Sequence, residues 1–167
     1  MEAPGSPVRL LPRSLLEELA AKAALSPRQR AHYNIHASAA DRVQRFVVVA
    51  QPAAYFRPHR HATKSELAVV LRGQLDVLVF DEQRRVTARH RVGDGTESMA
   101  YETPEGSWHT LLSGPGGCAF LEIKEGPYDA ATATEFAGWA PAEGDGAVPG
   151  FLDWLRKARP GDRFSSA

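Results

Sequence analysis

Apolar and polar residues exchange along most of this chain with the period of strands rather than helices. Val43-Gln44-Arg45-Phe46-Val47-Val48-Val49 has the β-branched content of a strand and is ended by Gln51-Pro52. Two further apolar runs, Leu67-Ala68-Val69-Val70-Leu71 and Leu75-Asp76-Val77-Leu78-Val79-Phe80, flank Arg72-Gly73-Gln74, which predicts a turn, so residues 66–80 read as a hairpin. A weakly alternating segment at 86–92 follows the polar turn 81–85. Segments 98–103, 108–112 and 118–124 bring the strand count to eight or nine. Turns at this spacing, with no helix repeated between strands, predict an all-β barrel.

Helical spacing occurs only at the two ends. Ser14-Leu15-Leu16-Glu17 is a capping-box pattern, and Leu15, Leu16, Leu19, Ala20 and Ala23 recur at helical intervals, predicting an amphipathic helix to about Ala24 with Ser14 as its N-cap. Ser26-Pro27 repeats the signal of a cap followed by Pro, opening a short turn with Arg28 and Arg30, which either bind an anion or form a solvated face. Residues 150–158 form a second short amphipathic helix. The expected organisation is one domain: an N-terminal helix and lead-in over 1–42, a barrel over 43–128, and a C-terminal extension over 129–167. In that extension Phe136 and Trp139 anchor on the outside of the barrel, and residues 160–167 are expected to be mobile.

Chemistry concentrates in Pro58-His59-Arg60-His61 and the residues after it. Side chains two apart on a strand share a face, so His59 and His61 can offer two imidazoles to one ion, while Pro58 disfavours a helix there. Glu66 begins a strand close by. His109 arrives behind the turn Pro104-Glu105-Gly106, near another hairpin tip, and completes a set of three imidazoles and one carboxylate. Such a mixed set suits iron, manganese, nickel, copper or zinc better than calcium or magnesium, which prefer oxygen shells. By alternation Tyr55 and Arg57 share the face of the histidine pair and are candidate substrate contacts. His32, Asn34 and His36 form a polar stripe of period two that faces either the barrel mouth or solvent. Glu122 and Lys124 place opposite charges on one face of the last strand, and Tyr128 follows Gly126-Pro127, where it could close a pocket.

These residues carry a family likeness. His59-x-His61-x4-Glu66-x6-Gly73 resembles the first cupin motif, and Pro104-x-Gly106-x2-His109 resembles the core of the second. Ala53, Ser98 and Ser113 depart from the usual Gly, Gly and Asn. Ser26-Pro27-Arg28-Gln29-Arg30-Ala31-His32, Asp41-Arg42-Val43-Gln44-Arg45, Arg57-Pro58-His59-Arg60-His61 and Glu122-Ile123-Lys124-Glu125-Gly126-Pro127-Tyr128 are similar to the WbuC-type cupin-fold metalloproteins, over roughly residues 14–145. The resemblance implies a single-domain jelly-roll barrel (a double-stranded β-helix) holding one divalent transition metal on His59, His61, Glu66 and His109. It also implies an association with bacterial surface-polysaccharide gene clusters, and homodimers are common among barrels of this kind.

Composition narrows the function further. The 167 residues include 20 Lys and Arg against 20 Asp and Glu, and a net charge of zero argues against a general nucleic-acid binder. One cysteine, Cys118, excludes a disulfide framework and reads as a buried apolar side chain. No apolar stretch has the length of a signal peptide or a membrane span, so a cytoplasmic protein is expected. The expected function is a metalloenzyme acting on a sugar or nucleotide-sugar intermediate. Its general base is left open among His32, His36, Glu122 and Tyr128. A non-catalytic cupin binding a sugar or organic acid, or an iron-dependent dioxygenase, are the alternatives.

Overall fold

The chain, seen in a computed structural model, is described over residues 8–165. Residues 1–7, part of the segment read for a signal peptide, and the tail residues 166–167 lie outside the described residues. The elements follow in the order α1 (Ser14–Leu25), β1 (Arg30–Asn34), β2 (Val43–Ala50), β3 (His59–Arg60), β4 (Glu66–Phe80), β5 (Val86–Gly93), β6 (Ala100–Thr103), β7 (Trp108–Glu125), β8 (Glu135–Phe136) and α2 (Val148–Lys157). No helix among the described residues is long and apolar enough to cross a membrane.

All eight strands belong to one antiparallel sheet. Its spine is the pairing of β4 with β7, from Glu66 opposite Lys124 to Phe80 opposite Trp108. The other edge of β7 takes β2, from Val43 opposite Glu125 to Ala50 opposite Cys118, and then β3, with His59 opposite His109. β1 adds to β2 and β8 to β3, while β5 and β6 share the free edge of β4. One long ribbon paired on both edges at both ends curls into the expected barrel.

The hairpin expected over residues 66–80 is not formed. β4 runs unbroken through Gly73, because Arg72 still faces Ala119 and Gly73 faces Cys118 on β7. Gly73, at φ +74°, serves a bulge, with register shifts on both sides of it. That bulge bends the strand where a turn would have reversed it. The capping box is also absent: α1 begins at Ser14, Arg13 stands at the N-cap without a side-chain bond, and Glu17 pairs with Arg72 of β4 instead.

Three apolar clusters hold the layers. Leu19 of α1 packs with Val47, Val49 and Ala119, flanked by Leu15, Leu16 and Ala20, on the outside of the sheet. Ala68, Leu75, Val77, Val92, Leu111 and Phe120 fill the barrel. Phe151, Leu152 and Leu155 of α2 cover Leu78, Phe80 and Trp108, with Trp139 edge-on to Phe80 at 5.2 Å. The tail before residue 166 is tied down: Val86 N–H donates to Asp162 O at 2.8 Å, Gly161 N–H donates to Val86 O at 2.8 Å, and Phe164 packs on Phe151. The expected outward anchoring holds for Trp139 and not for Phe136, which β8 carries against His59 instead.

Candidate metal centre

Strand pairing assembles the centre. β3 is only two residues long, yet it sets His59 between His109 of β7 and Phe136 of β8. Gly106 N–H donates to His61 O at 2.7 Å, which ties the turn before His109 to the histidine pair. Glu66 opens β4 directly opposite Lys124. A ligating nitrogen from each of His59, His61 and His109 lies within 4.8 Å of the others, an arrangement able to hold a metal ion.

Each ring is oriented by a backbone carbonyl. His59 Nδ1 is 2.9 Å from Arg57 O, His61 Nδ1 is 2.6 Å from Ala133 O, and His109 Nδ1 is 2.9 Å from Ser107 O. A carbonyl only accepts, so all three Nδ1 atoms carry the proton and each neutral ring keeps its lone pair on Nε2. The Nε2 atoms of His61 and His109 are buried without a hydrogen-bond partner. Glu66 faces them, with Oε2 at 3.0 Å from His61 Nε2 and Oε1 at 3.8 Å from His109 Nε2. Acceptors buried this close repel unless a cation, either a proton or a metal ion, stands among them. The site therefore fits a divalent metal, with carbonyl-anchored rings of the kind that orient metal-binding histidines.

The titration behaviour follows from burial and these neighbours. Burial, with His109 nearby, depresses His59 to about 3. Burial also works against charge on His61, but Glu66 outweighs it and raises this ring above its ordinary value. The Glu66 carboxyl resists burial and is held well below the usual range by His109, His61 and Lys124. Burial, and then the charge of Glu66, push Glu122 upward. Lys124 is raised, because Glu122 and Glu66 together overcome its desolvation.

A cavity of about 330 Å³ opens over the centre. Of the residues proposed from sequence as substrate contacts, Arg57, His32, Glu122, Lys124 and Tyr128 line it. Tyr55 and His36 do not. Residues 51–58 form no strand, so alternation fails there, and Tyr55 turns into the core beside Phe151 with its hydroxyl donating to Pro141 O at 2.8 Å. His36 folds back on Arg45, its Nδ1 lying 2.9 Å from the carbonyl and 3.0 Å from the amide nitrogen, and lines an adjoining cavity with Asn34 and Tyr128. Sequence reasoning missed Phe136 as a wall of the cavity and Glu143, which joins Arg28 and Arg30 across its rim. Both lie in a stretch with little periodicity, and Glu143 had no signal beyond its charge.

Residues 11–92 match a family model described as a domain of unknown function, DUF6016. None of the curated proteins matches the chain in sequence. Among solved structures, a point mutant of Bacillus subtilis oxalate decarboxylase is similar at TM-score 0.51 and 19% identity, over 64% of this chain and 27% of that one. An oxalate oxidase in complex with the substrate analogue glycolate is similar at TM-score 0.51 and 17% identity, over 67% of this chain and 57% of that one. The chain thus spans about a quarter of the first and little over half of the second. These likenesses and the curled sheet define a single-domain cupin barrel, and its three-histidine cluster has the spacing to hold a metal ion.

Proposed function

We propose that His59, His61 and His109, with Glu66 as the fourth ligand, hold one divalent transition metal (iron, nickel, manganese or zinc), and that the protein is a metalloenzyme acting on a sugar or nucleotide-sugar intermediate. The observation that carries the metal assignment is the set of three Nδ1-to-carbonyl bonds, which leaves three Nε2 lone pairs converging beside Glu66. The carbohydrate reading is supported by the sequence likeness to WbuC-type cupins and by a small cavity whose walls combine Phe56 and Phe136 with charged groups.

A metal bound here would act as a Lewis acid on a substrate oxygen. The chain itself supplies orientation and a proton site. Glu122 and Lys124 face the cavity as a hydrogen-bonded pair, Nζ to Oε1 at 2.6 Å, and hold a proton beside the ligand's position.

Elemental analysis of protein purified without added metal tests the site. Wild type should carry about one equivalent of metal, and His61→Ala and His109→Ala should lose most of it. Full occupancy in either variant would remove the assignment. Transfer of deuterium from solvent into a panel of nucleotide sugars, followed by proton NMR with metal-loaded wild type, tests the reaction class. No exchange into any member would reject proton-transfer chemistry on these substrates.

A further inference from the structure

We propose that Arg57 forms a carboxylate-binding subsite beside the metal centre, so that the sugar-derived ligand of this cavity carries a carboxylate. The ligand class builds on the metal reading, while the subsite is made by the polypeptide alone.

The inference comes from pairing the charges that line the cavity. Arg28 and Arg30 are both bonded to Glu143, and Lys124 lies between Glu66 and Glu122. Arg57 has no carboxylate partner among the described residues. Its one hydrogen bond runs from Nη2 to Ala137 O at 2.9 Å, and its Nε is buried with no partner at all. A guanidinium on a cavity wall with an unmatched N–H and no counter-charge is costly, and an anion in the cavity offsets that cost. The cavity as a whole has four cationic side chains against three carboxylates, before any metal adds its charge.

Position and shape narrow the acceptor. The Arg57 carbonyl receives the His59 Nδ1 proton, so the guanidinium and the metal-facing ring hang from adjoining backbone. Phe136, half exposed, faces the guanidinium 5.6 Å from its ring centre and gives an apolar surface on which the body of a ligand can rest. A planar guanidinium with free donors matches a planar carboxylate held by paired hydrogen bonds, and an open cavity of about 330 Å³ has room for a sugar-sized group.

The test is calorimetric titration of glucuronate, glucose and inorganic phosphate into wild type, Arg57→Met and Arg57→Lys, each in metal-free and zinc-loaded form. Circular dichroism verifies folding, and Arg57→Lys remains available if the methionine variant does not fold. Wild type should prefer glucuronate to glucose in both forms. Arg57→Met should weaken glucuronate by roughly ten-fold or more with zinc stoichiometry unchanged, and Arg57→Lys should fall between, because an ammonium keeps the charge and loses the paired geometry. Equal binding by wild type and Arg57→Met, or no preference for the acid over glucose, overturns the subsite. A preference for phosphate over glucuronate overturns the carboxylate assignment. Failure to take up zinc would overturn the metal reading instead, and the metal-free titrations would still decide the role of Arg57.

Discussion

Lys124 Nζ stands 3.2 Å from Glu66 Oε2 and 2.6 Å from Glu122 Oε1, so a single ammonium separates the carboxylate beside the three histidines from a second acid on the cavity wall. The register produces this contact: Glu66 faces Lys124 across the β4–β7 pairing, and Glu122 is two residues along the same face of β7. Lys124→Met should leave two largely buried acids without their common partner and destabilise the metal-free protein by about 3 kcal/mol. Apart from a proton on His61, a divalent metal is then the one cation available to Glu66. Its stabilising effect should therefore be larger in the variant than in wild type, by mass action on the folded state. Thermal melts with and without added zinc measure both terms. An equal zinc-induced shift in the two proteins would show that Lys124 and the metal do not share Glu66.

Gly73 permits the bend in β4 that lets one strand serve both ends of the barrel. A Cβ placed there would come 2.3 Å from Gly117 O, at a φ of +74° that side chains disfavour. Gly73→Ala should cost about 2–4 kcal/mol, combining backbone strain with displacement of β7. Gly116→Ala, where an added Cβ meets nothing within 4 Å, is the control and should change stability by less than about 0.5 kcal/mol. Urea denaturation of the two variants compares them directly. A milder effect at Gly73 than at Gly116 would mean that the bulge relaxes freely.

The contrast between the legible and the hidden parts of this chain follows from the range of the interactions. Period-two alternation marks most of the strands, and the short spacing of His59, His61 and Glu66 points to residues that the structure gathers near His109, because each signal spans only a few residues. The bulge at Gly73 has the sequence signature of a turn because both use a glycine at positive φ, and only pairing with the distant β7 distinguishes them. Alternation does not reach Tyr55, because residues 51–58 form no strand. The carbonyl that orients His61 comes from Ala133, 72 residues away, and a backbone acceptor leaves no trace in side-chain identity.

Phe151 fastens the C-terminal extension to the barrel. It is 2% exposed and lies among Tyr55, Trp139, Trp154 and Phe164. Phe151→Ala should cost about 3–5 kcal/mol from lost burial and the cavity left behind. Because Ala133 O and Ala137 O hold His61 and Arg57, loosening this segment should also weaken metal retention. Parallel measurement of the urea midpoint and of zinc affinity checks the link. A destabilised variant with unchanged zinc affinity would show that the extension supports the fold without supporting the centre.

At the face of the sheet under α2, Asp76 binds Arg89 and Arg91, with Arg91 Nε at 2.8 Å, and Arg89 also donates to the carbonyls of Leu155, Arg156 and Ala158 at the end of α2. Burial works to raise the Asp76 carboxyl, but the two guanidinium groups outweigh it and hold it below the ordinary value. A depressed acid contributes its stabilisation in full above its unfolded pKa, near 4, and loses it as the pH falls through the folded value. Wild type should therefore lose stability on acidification below about pH 4, while Asp76→Asn should lose less over that range, since its side chain has no charge to neutralise. At neutral pH the substitution should cost about 2–3 kcal/mol, because Arg89 keeps its carbonyl partners but loses its counter-charge. Melting temperatures of both proteins from pH 7 to pH 3 give the two curves. They should converge toward the acid end, and parallel curves would exclude Asp76 as a source of the acid sensitivity.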